Sequence, residues 1–363
     1  MKVVQIVTNL AIGDAIGNEV LAIHEALTDA GYTCEIMALT IHEKLAGTAR
    51  NVDFSRVAPE DLAIIHKTNG DAFPKHIAAL PCTRVLIYHN ITPGRYLLHY
   101  DAVMAWNLWR GRHQLKRLAR CVDQAWGDSQ YNCRELEERG FSRDRLSVLP
   151  IVPSGAEAQI RPDDATASRL RARRGTRLLF IGRIAPNKRQ EDIIKAYYCY
   201  LREEDPEATL YLVGSWNGFE KYYAKLKGFA ADLGLRDDQV VFTGHVTEAE
   251  KAAYLACADV YVCMSEHEGF CVPLLEAMGR DIPIIAYAAC AVPETLGENG
   301  LLIREKDYPE IARLIGCVCR DAAFRAQVIE RQRESLARFE PERIRAKLLE
   351  LTRTALANGR EGP

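Results

Sequence analysis

Residues Arg177 to Lys188 read RLLFIGRIAPNK. An apolar run ends in a glycine, and an arginine and a lysine follow before a helical pattern, Glu191–Leu201 (EDIIKAYYCYL), begins. A continuous apolar run suits a strand covered on both faces, and a short polar turn into a helix is the first half of a crossover unit. The chain has made this move once already. Val3–Val7 (VVQIV) is apolar except for Gln5, a turn carries Gly13 and Gly17, and an amphipathic helix runs through Val20, Leu21, Ile23, His24 and Leu27 to a C-terminal Gly31. The pattern therefore starts twice, and the restart decides the fold.

Between the two starts, strand patterns fall at Cys34–Leu39, Leu62–His66, Arg84–His89, Gln124–Gly127 and Leu146–Pro150. Val152–Asp164 (VPSGAEAQIRPDD) breaks the alternation with prolines and small polar residues and reads as an interdomain link. After Arg177–Gly182 come Ala208–Gly214, Val240–Gly244, Asp259–Met264 and Ile282–Ala286, and helical patterns fill Asp307 to the end with a break at Phe339-Glu340-Pro341. Strands alternating with helices mean parallel sheets. The expected fold class is α/β with two Rossmann-like domains: residues 1–155 joined by a closing helix at about 341–358, and residues 165–338. Ligands of open sheets bind at the carboxyl ends of the strands, so the polar strand-to-helix turns matter most.

A length of 363 residues exceeds one ordinary core, and 48% hydrophobic with 26% charged residues is a globular balance. The formal charge of -2 gives no reason to expect a nucleic-acid partner. Eleven cysteines are scattered without a CxxC pair, as suits reduced thiols and a cytoplasmic location. Asn9, Gly13 and Asp14 come too early for a signal peptide, and no apolar run nears the ~20 residues of a membrane span. Any membrane contact is expected to be peripheral.

Ser265–Met278 reads SEHEGFCVPLLEAM. Glu268 falls in the turn after a strand and Glu276 in the helix that follows, with Pro273 near its first position. Amides around Gly269, Phe270, Cys271 and Val272 face an anion, and a carboxylate such as Glu276 can accept from both hydroxyls of a ribose. The plainer reading makes Glu276 a solvated helix residue and Glu268 a partner of the helix dipole. Arg183 and Lys188, on the turn after Gly182, can neutralise a pyrophosphate, or serve as ordinary surface cations. No DxD occurs, so no metal is expected at the phosphates. Each feature makes the other more credible.

Together, FIGRIAPNK, SEHEGFCVPLLEAM and AVPETLGENGLLI (Ala291–Ile303) resemble the donor half of the GT-B glycosyltransferases of family 4. That resemblance implies a retaining transfer of a sugar from a nucleoside diphosphate donor to a hydroxyl acceptor, without a metal. It implies that Arg183 and Lys188 hold the diphosphate and that Glu276 holds the ribose hydroxyls. Glu268 would face the donor sugar, with the 269–272 amides near the sugar and β-phosphate. One departure is Ala289-Cys290 where many members carry a glycine pair. The first half resembles the family more loosely. Gly13, Asp14 and Gly17 match a loop against diphosphate and acceptor, and His89 matches a histidine that reaches the donor sugar. His245 matches a loop near the nucleobase, or a plain surface turn. His66 ends the strand beside His89 and reads as structural, and Ser129 reads as a helix N-cap.

Other classes fit less well. GxSxG and P-loop patterns are absent, and no GxGxxG follows either first strand. The histidines are too dispersed for a sequence-local metal site. A nucleotide-sugar epimerase of the same fold and a non-catalytic sugar-nucleotide-binding protein remain as alternatives. The stretch 95–120 (RYLLHYDAVMAWNLWRGRHQLKRLAR) mixes Trp106 and Trp109 with Arg110, Arg112, Lys116, Arg117 and Arg120. An amphipathic helix with its tryptophans in the core is the preferred reading, and contact with an anionic membrane or a lipid-linked acceptor is the rival.

Overall fold

Both starts of the pattern become sheets. The computed structural model describes residues 1–11, 13, 15–152, 160–298 and 300–360. Asp14 and most of the expected link lie outside the described residues. The chain divides into two compact units, one of Met1–Leu98, Ala102–Ala158 and Phe339–Pro363, the other of His99–Asp101 and Gln159–Arg338.

The first unit runs β1 (Val3–Leu10), α1 (Ala15–Asp29), β2 (Cys34–Ile41), β3 (Arg50–Asn51), β4 (Leu62–Lys67), α2 (Phe73–Ile77), β5 (Thr83–Tyr88), α3 (Ala102–Leu118), β6 (Gln124–Gly127), α4 (Gln130–Glu138) and β7 (Leu146–Val148). The second runs α5 (Asp164–Arg171), β8 (Arg177–Ile181), α6 (Gln190–Glu203), β9 (Thr209–Val213), α7 (Glu220–Asp232), β10 (Val240–Gly244), α8 (Glu248–Cys257), β11 (Val260–Cys263), α9 (Val272–Met278), β12 (Ile284–Tyr287), α10 (Val292–Leu296), β13 (Leu301–Ile303), α11 (Tyr308–Arg320) and α12 (Ala322–Leu336). A last helix, α13 (Pro341–Arg360), belongs to the first unit.

Among the described residues every ladder between these strands is parallel, with one isolated antiparallel bridge between Gly214 and Gly244. The first sheet has the order β3-β2-β1-β4-β5-β6-β7 and the second β10-β9-β8-β11-β12-β13. In both, the first strand of the unit lies inside the sheet, and the winding reverses beside it. Such a switch point leaves a crevice at the strand ends, because the loops on its two sides leave in opposite directions. In the first unit it lies between β1 and β4. In the second it lies between β8 and β11, the strands that precede the two motifs.

The closing helix shows how the first core is completed. Ile344, Leu348, Leu351 and Ala355, spaced along one face of α13, join Ile23, Leu27, Ile64, Ile87 and Trp126 in a single buried cluster. The expected return of the last helix to the first domain is observed. β3 and β13 were not expected: two and three residues are too short to show a period. Leu348 is fully buried, so Leu348→Ala is expected to lower unfolding free energy by about 2–5 kcal/mol, whereas exposed Arg343→Ala stays within about 0.5 kcal/mol. Urea denaturation of the two variants checks this; equal midpoints would remove α13 from the core.

Candidate active site

At the switch point of the second unit, three loops are tied to one another. The β8–α6 loop carries Gly182, Arg183, Asn187 and Lys188. Gly182 has a φ of 151°, and a Cβ on the neighbouring Gly214 would lie 2.0 Å from the Gly182 carbonyl oxygen, so the two turns can meet only as glycines. Asn187 joins this loop to the β11–α9 loop: its backbone carbonyl accepts from Glu266 N at 2.9 Å and its Nδ2 donates to the His267 carbonyl at 3.1 Å. The β12–α10 loop closes the third side. Ala291 N donates to the Glu268 carbonyl at 3.3 Å, and Thr295 Oγ1 to the Phe270 carbonyl at 2.6 Å.

This stitching sets the charges. Lys188 Nζ donates to both oxygens of Glu268, at 2.7 and 2.6 Å. The glutamate side chain is 7% exposed and the lysine 23%. Burial works against the ammonium, and the Glu268 carboxylate outweighs it, holding Lys188 above the usual lysine range. Glu276 also has a lysine: Lys251 Nζ, from α8, lies 2.7 Å from its Oε1 and 2.6 Å from Glu248. Arg183 is exposed, with its guanidinium 4.9 Å above the Phe219 ring. Both motif glutamates thus sit in lysine pairs, and Arg183 lies on the same loop as Lys188. Lys251 was not anticipated, because twenty-five positions separate it from Glu276 and it reads as an ordinary helix lysine.

The amide positions vary in access. Phe270 and Cys271 are buried, while Gly269 and Val272 are partly open. Cys271 precedes α9 with φ 76°, in the left-handed region, and its side chain makes no cap to the helix. His245 is exposed after β10. Beside it, Trp216 stacks on Tyr223 at 4.1 Å and 6°, and a Cβ at Gly244 would touch the Trp216 ring at 3.3 Å. This aromatic face next to His245 was also missed, since a single tryptophan in a loop has no pattern.

In the first unit the expected residues part company. Gly13 is exposed with φ 75°. Gly17 is buried in α1, where a Cβ would meet the Ala11 carbonyl oxygen at 2.1 Å, so close packing alone demands a glycine. His89, expected to reach the donor sugar, has a side chain that is 1% exposed, with both ring nitrogens engaged inside the first unit. The direction of each hydrogen bond follows from Gln5. Gln5 Nε2 donates to the Val20 carbonyl at 3.0 Å, so its Oε1 faces His66 Nε2, which must donate at 3.0 Å. His66 Nδ1 is then bare and accepts from His89 Nε2 at 2.9 Å. His89 Nδ1 faces Glu19 at 3.2 Å and Asp128 at 3.3 Å. With a proton on each nitrogen, His89 is an imidazolium held between buried carboxylates.

The pKa directions agree. Burial opposes the His89 cation, and Asp128 and Glu19 outweigh it, so His89 is pushed up to about 10. Burial and the neighbouring cation push His66 well below the usual histidine range. Burial raises Asp128, against the pull of His89. Ser129 caps α4, its Oγ accepting from Asn132 N at 3.2 Å, as expected.

The reading of α3 is also corrected. Trp106 is 57% and Trp109 47% exposed, stacked on each other at 4.6 Å, with Leu98 and Val103 exposed nearby in the chain. Arg112 turns inward instead, donating to the Ile91 carbonyl at 2.7 Å and to Glu135 at 2.5 Å. The core side of the helix is taken by Ala105, Gly111, Leu115 and Leu118. Gly111 must be small, since a Cβ there would lie 2.6 Å from the Asn69–Gly70 peptide.

Two parallel sheets, each wound on its own switch point, with a closing helix that joins the first, define the GT-B class of fold. Two solved structures share it over nearly the whole chain. One is HepE of Anabaena in complex with UDP and glucose (TM-score 0.75, 19% identity, 98% of this chain and 100% of that one). The other is the sucrose-phosphate synthase of Thermosynechococcus elongatus (TM-score 0.76, 18% identity, 99% and 100%). Residues 165–335, most of the second unit, match the model of the glycosyl transferases group 1. A serotype-specific mannosyltransferase of Escherichia coli, WbdA, is 25% identical over 331 residues, 87% of this chain and 39% of its own length. The chain spans about a third to a half of the length of the curated relatives it matches.

The buried cluster makes a testable statement about stability. The folded state binds protons at His89 and Asp128 that the unfolded chain releases, so both groups favour folding at lower pH. For His89 the contribution is complete below pH 6.5 and is lost as pH rises through about 10. Unfolding free energy measured across that window is expected to fall with pH in the wild type and to lose this slope in His89→Leu. That variant also leaves carboxylates uncompensated, at a cost of about 3–5 kcal/mol. Identical slopes would make His89 neutral.

Proposed function

We propose that the chain is a glycosyltransferase that moves a sugar from a nucleoside diphosphate donor to a hydroxyl acceptor, with retention at the anomeric carbon. The observation that carries this reading is the Lys188–Glu268 pair, with exposed Arg183 on the same loop as the lysine, at the switch point of a unit that matches the group 1 model. A diphosphate arriving there takes Lys188 and Arg183 as partners, and Glu268 is released to accept from hydroxyls of the sugar. Glu276, oriented by Lys251, accepts from the ribose diol. As the glycosidic bond to the diphosphate breaks, negative charge grows on the phosphate, and the two fixed cations stabilise it without a metal. The departing phosphate oxygen takes the acceptor's proton. By the family resemblance Gly13 lies against the donor diphosphate, and Asp14 and Gly17 on the acceptor side of that loop. The resemblance to family 4 supports the retaining outcome, and the names of relatives, several of them mannosyltransferases, make GDP-mannose the first donor to try.

The exposed face of α3 supports a peripheral position on the cytoplasmic side of a membrane, with a lipid-linked acceptor. Val103, Trp106, Arg110, His113 and Arg117 follow one another at three- and four-residue steps and are all exposed. Arg95, Lys116 and Arg120 add charge around them. Stacked indoles within a cationic surface fit an interface of anionic lipid headgroups. No described helix is long and apolar enough to cross a membrane.

Arg183→Ala, Lys188→Ala and Glu276→Ala are each expected to weaken nucleotide-sugar binding by about 1.5–3 kcal/mol, measured by calorimetry. Unchanged affinity and turnover in all three would refute the site. Thermal shifts with UDP, GDP and ADP identify the base, since a ligand at 100 times its Kd adds about 2.7 kcal/mol. Vesicle pelleting tests the α3 face: salt-sensitive binding to anionic vesicles should vanish in Trp106→Ala/Trp109→Ala, and equal binding to neutral vesicles would contradict it.

A further inference from the structure

Behind the Lys188–Glu268 pair, two thiols converge on the same carboxylate. Cys263 is the last residue of β11 and is fully buried; Cys271 precedes α9 and is 8% exposed. The sulfurs of Cys263 and Cys271 and a carboxylate oxygen of Glu268 all lie within 4.8 Å of one another. Cys263 Sγ also lies 3.4 Å from Ser265 Oγ. Cys271 holds its side chain here from a φ of 76°, where glycine would be relaxed and a Cβ is strained. The two sulfurs and the carboxylate all belong to one strand-to-helix loop and its ends, so a single small movement of that loop brings them together.

We propose that Cys263, Cys271 and Glu268 form a binding site for a thiophilic divalent cation of the zinc type. Two sulfurs and one carboxylate oxygen are a donor set such ions favour, and three protein ligands leave a fourth position open. Sulfurs about 2.3 Å from a tetrahedral zinc stand roughly 3.8 Å apart, so the side chains need only a short inward adjustment. On uptake each thiol gives its proton to solvent, and the metal takes the Glu268 oxygen that Lys188 now holds. The ion therefore competes with the ammonium. Once bound, it frees Lys188 for a phosphate but withholds Glu268 from the hydroxyls of a sugar, a consequence that rests on the donor reading above, whereas the metal site itself does not.

The test uses the full chain, freed of metal and kept reduced. Zn²⁺ is titrated against a chromophoric chelator, and Co²⁺ is used in parallel, because a thiolate-to-cobalt charge-transfer band reports sulfur ligation. Wild type is expected to bind one equivalent and to show the band. Cys317→Ser/Cys319→Ser, outside the cluster, should keep both. Cys263→Ala and Cys271→Gly should lose the band and at least about tenfold in Zn²⁺ affinity. Cys271→Gly relaxes the backbone at that position, so it answers the question even if Cys263→Ala folds poorly. Lys188→Met should tighten Zn²⁺ binding by removing the competitor. A band and affinity unchanged in Cys271→Gly and Cys263→Ala would overturn the proposal. Zn²⁺ lost in those variants, with the affinity ratio of GDP-mannose to GDP indifferent to Zn²⁺ in wild type, would keep the metal site and refute the donor reading instead.

Discussion

Lys188 and Glu268 can meet at 2.6 Å only if two loops from neighbouring strands are held in register. A partly buried ion pair is unforgiving: removing or misplacing one partner leaves the other charge poorly solvated. The surrounding hydrogen bonds follow from that demand. Asn187 fixes the backbone just before the lysine to the residues just before the glutamate. Thr295 and Ala291 then brace the far side of the same turn from the next loop. Arg189 adds a contact of 3.2 Å to Glu266, and Lys306 one of 2.8 Å to the same carboxylate. The three sequence motifs are thus three edges of one object, not three separate sites. The arrangement belongs to the second unit alone.

The first unit uses the equivalent position of its sheet differently. There the crevice between β1 and β4 is backed by a chain of hydrogen bonds running from Gln5 through His66 to His89 and its carboxylates. Gln5, the one polar residue in an apolar strand, is explained by this chain: its amide orients both histidines. Satisfied networks of this kind rigidify the elements that contribute to them, because each member fixes the proton position of the next. β1, α1, β4 and the ends of β5 and β6 all contribute. The result is a rigid frame across these elements, with its charge kept inside the protein.

Much of the fold was legible because parallel strands buried on both faces write continuous apolar runs, as in Val3–Val7 and Arg177–Ile181. β3 and β13 escaped because edge strands of two or three residues carry no such run. Glu268, Glu276, Arg183 and Lys188 were legible because they lie in short motifs at strand ends. Their partners were not. Lys251 becomes visible only when α8 packs beside α9, and the role of His89 depends on Glu19 and Asp128 arriving from distant positions. The tryptophans of α3 misled for a related reason. Composition assigns an indole to a core, but the crowding at Gly111 and Leu115 already fills the inward face and leaves Trp106 and Trp109 outside.

The ion pairs also bear on how the second unit would receive a ligand. Its lysines are not waiting in water: Lys188 and Lys251 each hold a glutamate, and Glu276 and Glu268 each hold a lysine. A phosphate that binds Lys188 must therefore exchange partners, and the net gain is the difference between two charged contacts rather than the whole of one. Exchange works only if Glu268 gains hydroxyl donors when it loses the ammonium. A bare diphosphate supplies the first half of that trade, and a nucleoside diphosphate sugar supplies both. Under the proposed function the pair would link recognition of the phosphate to recognition of the sugar through one carboxylate, a physical reason for the two motifs to share a crevice.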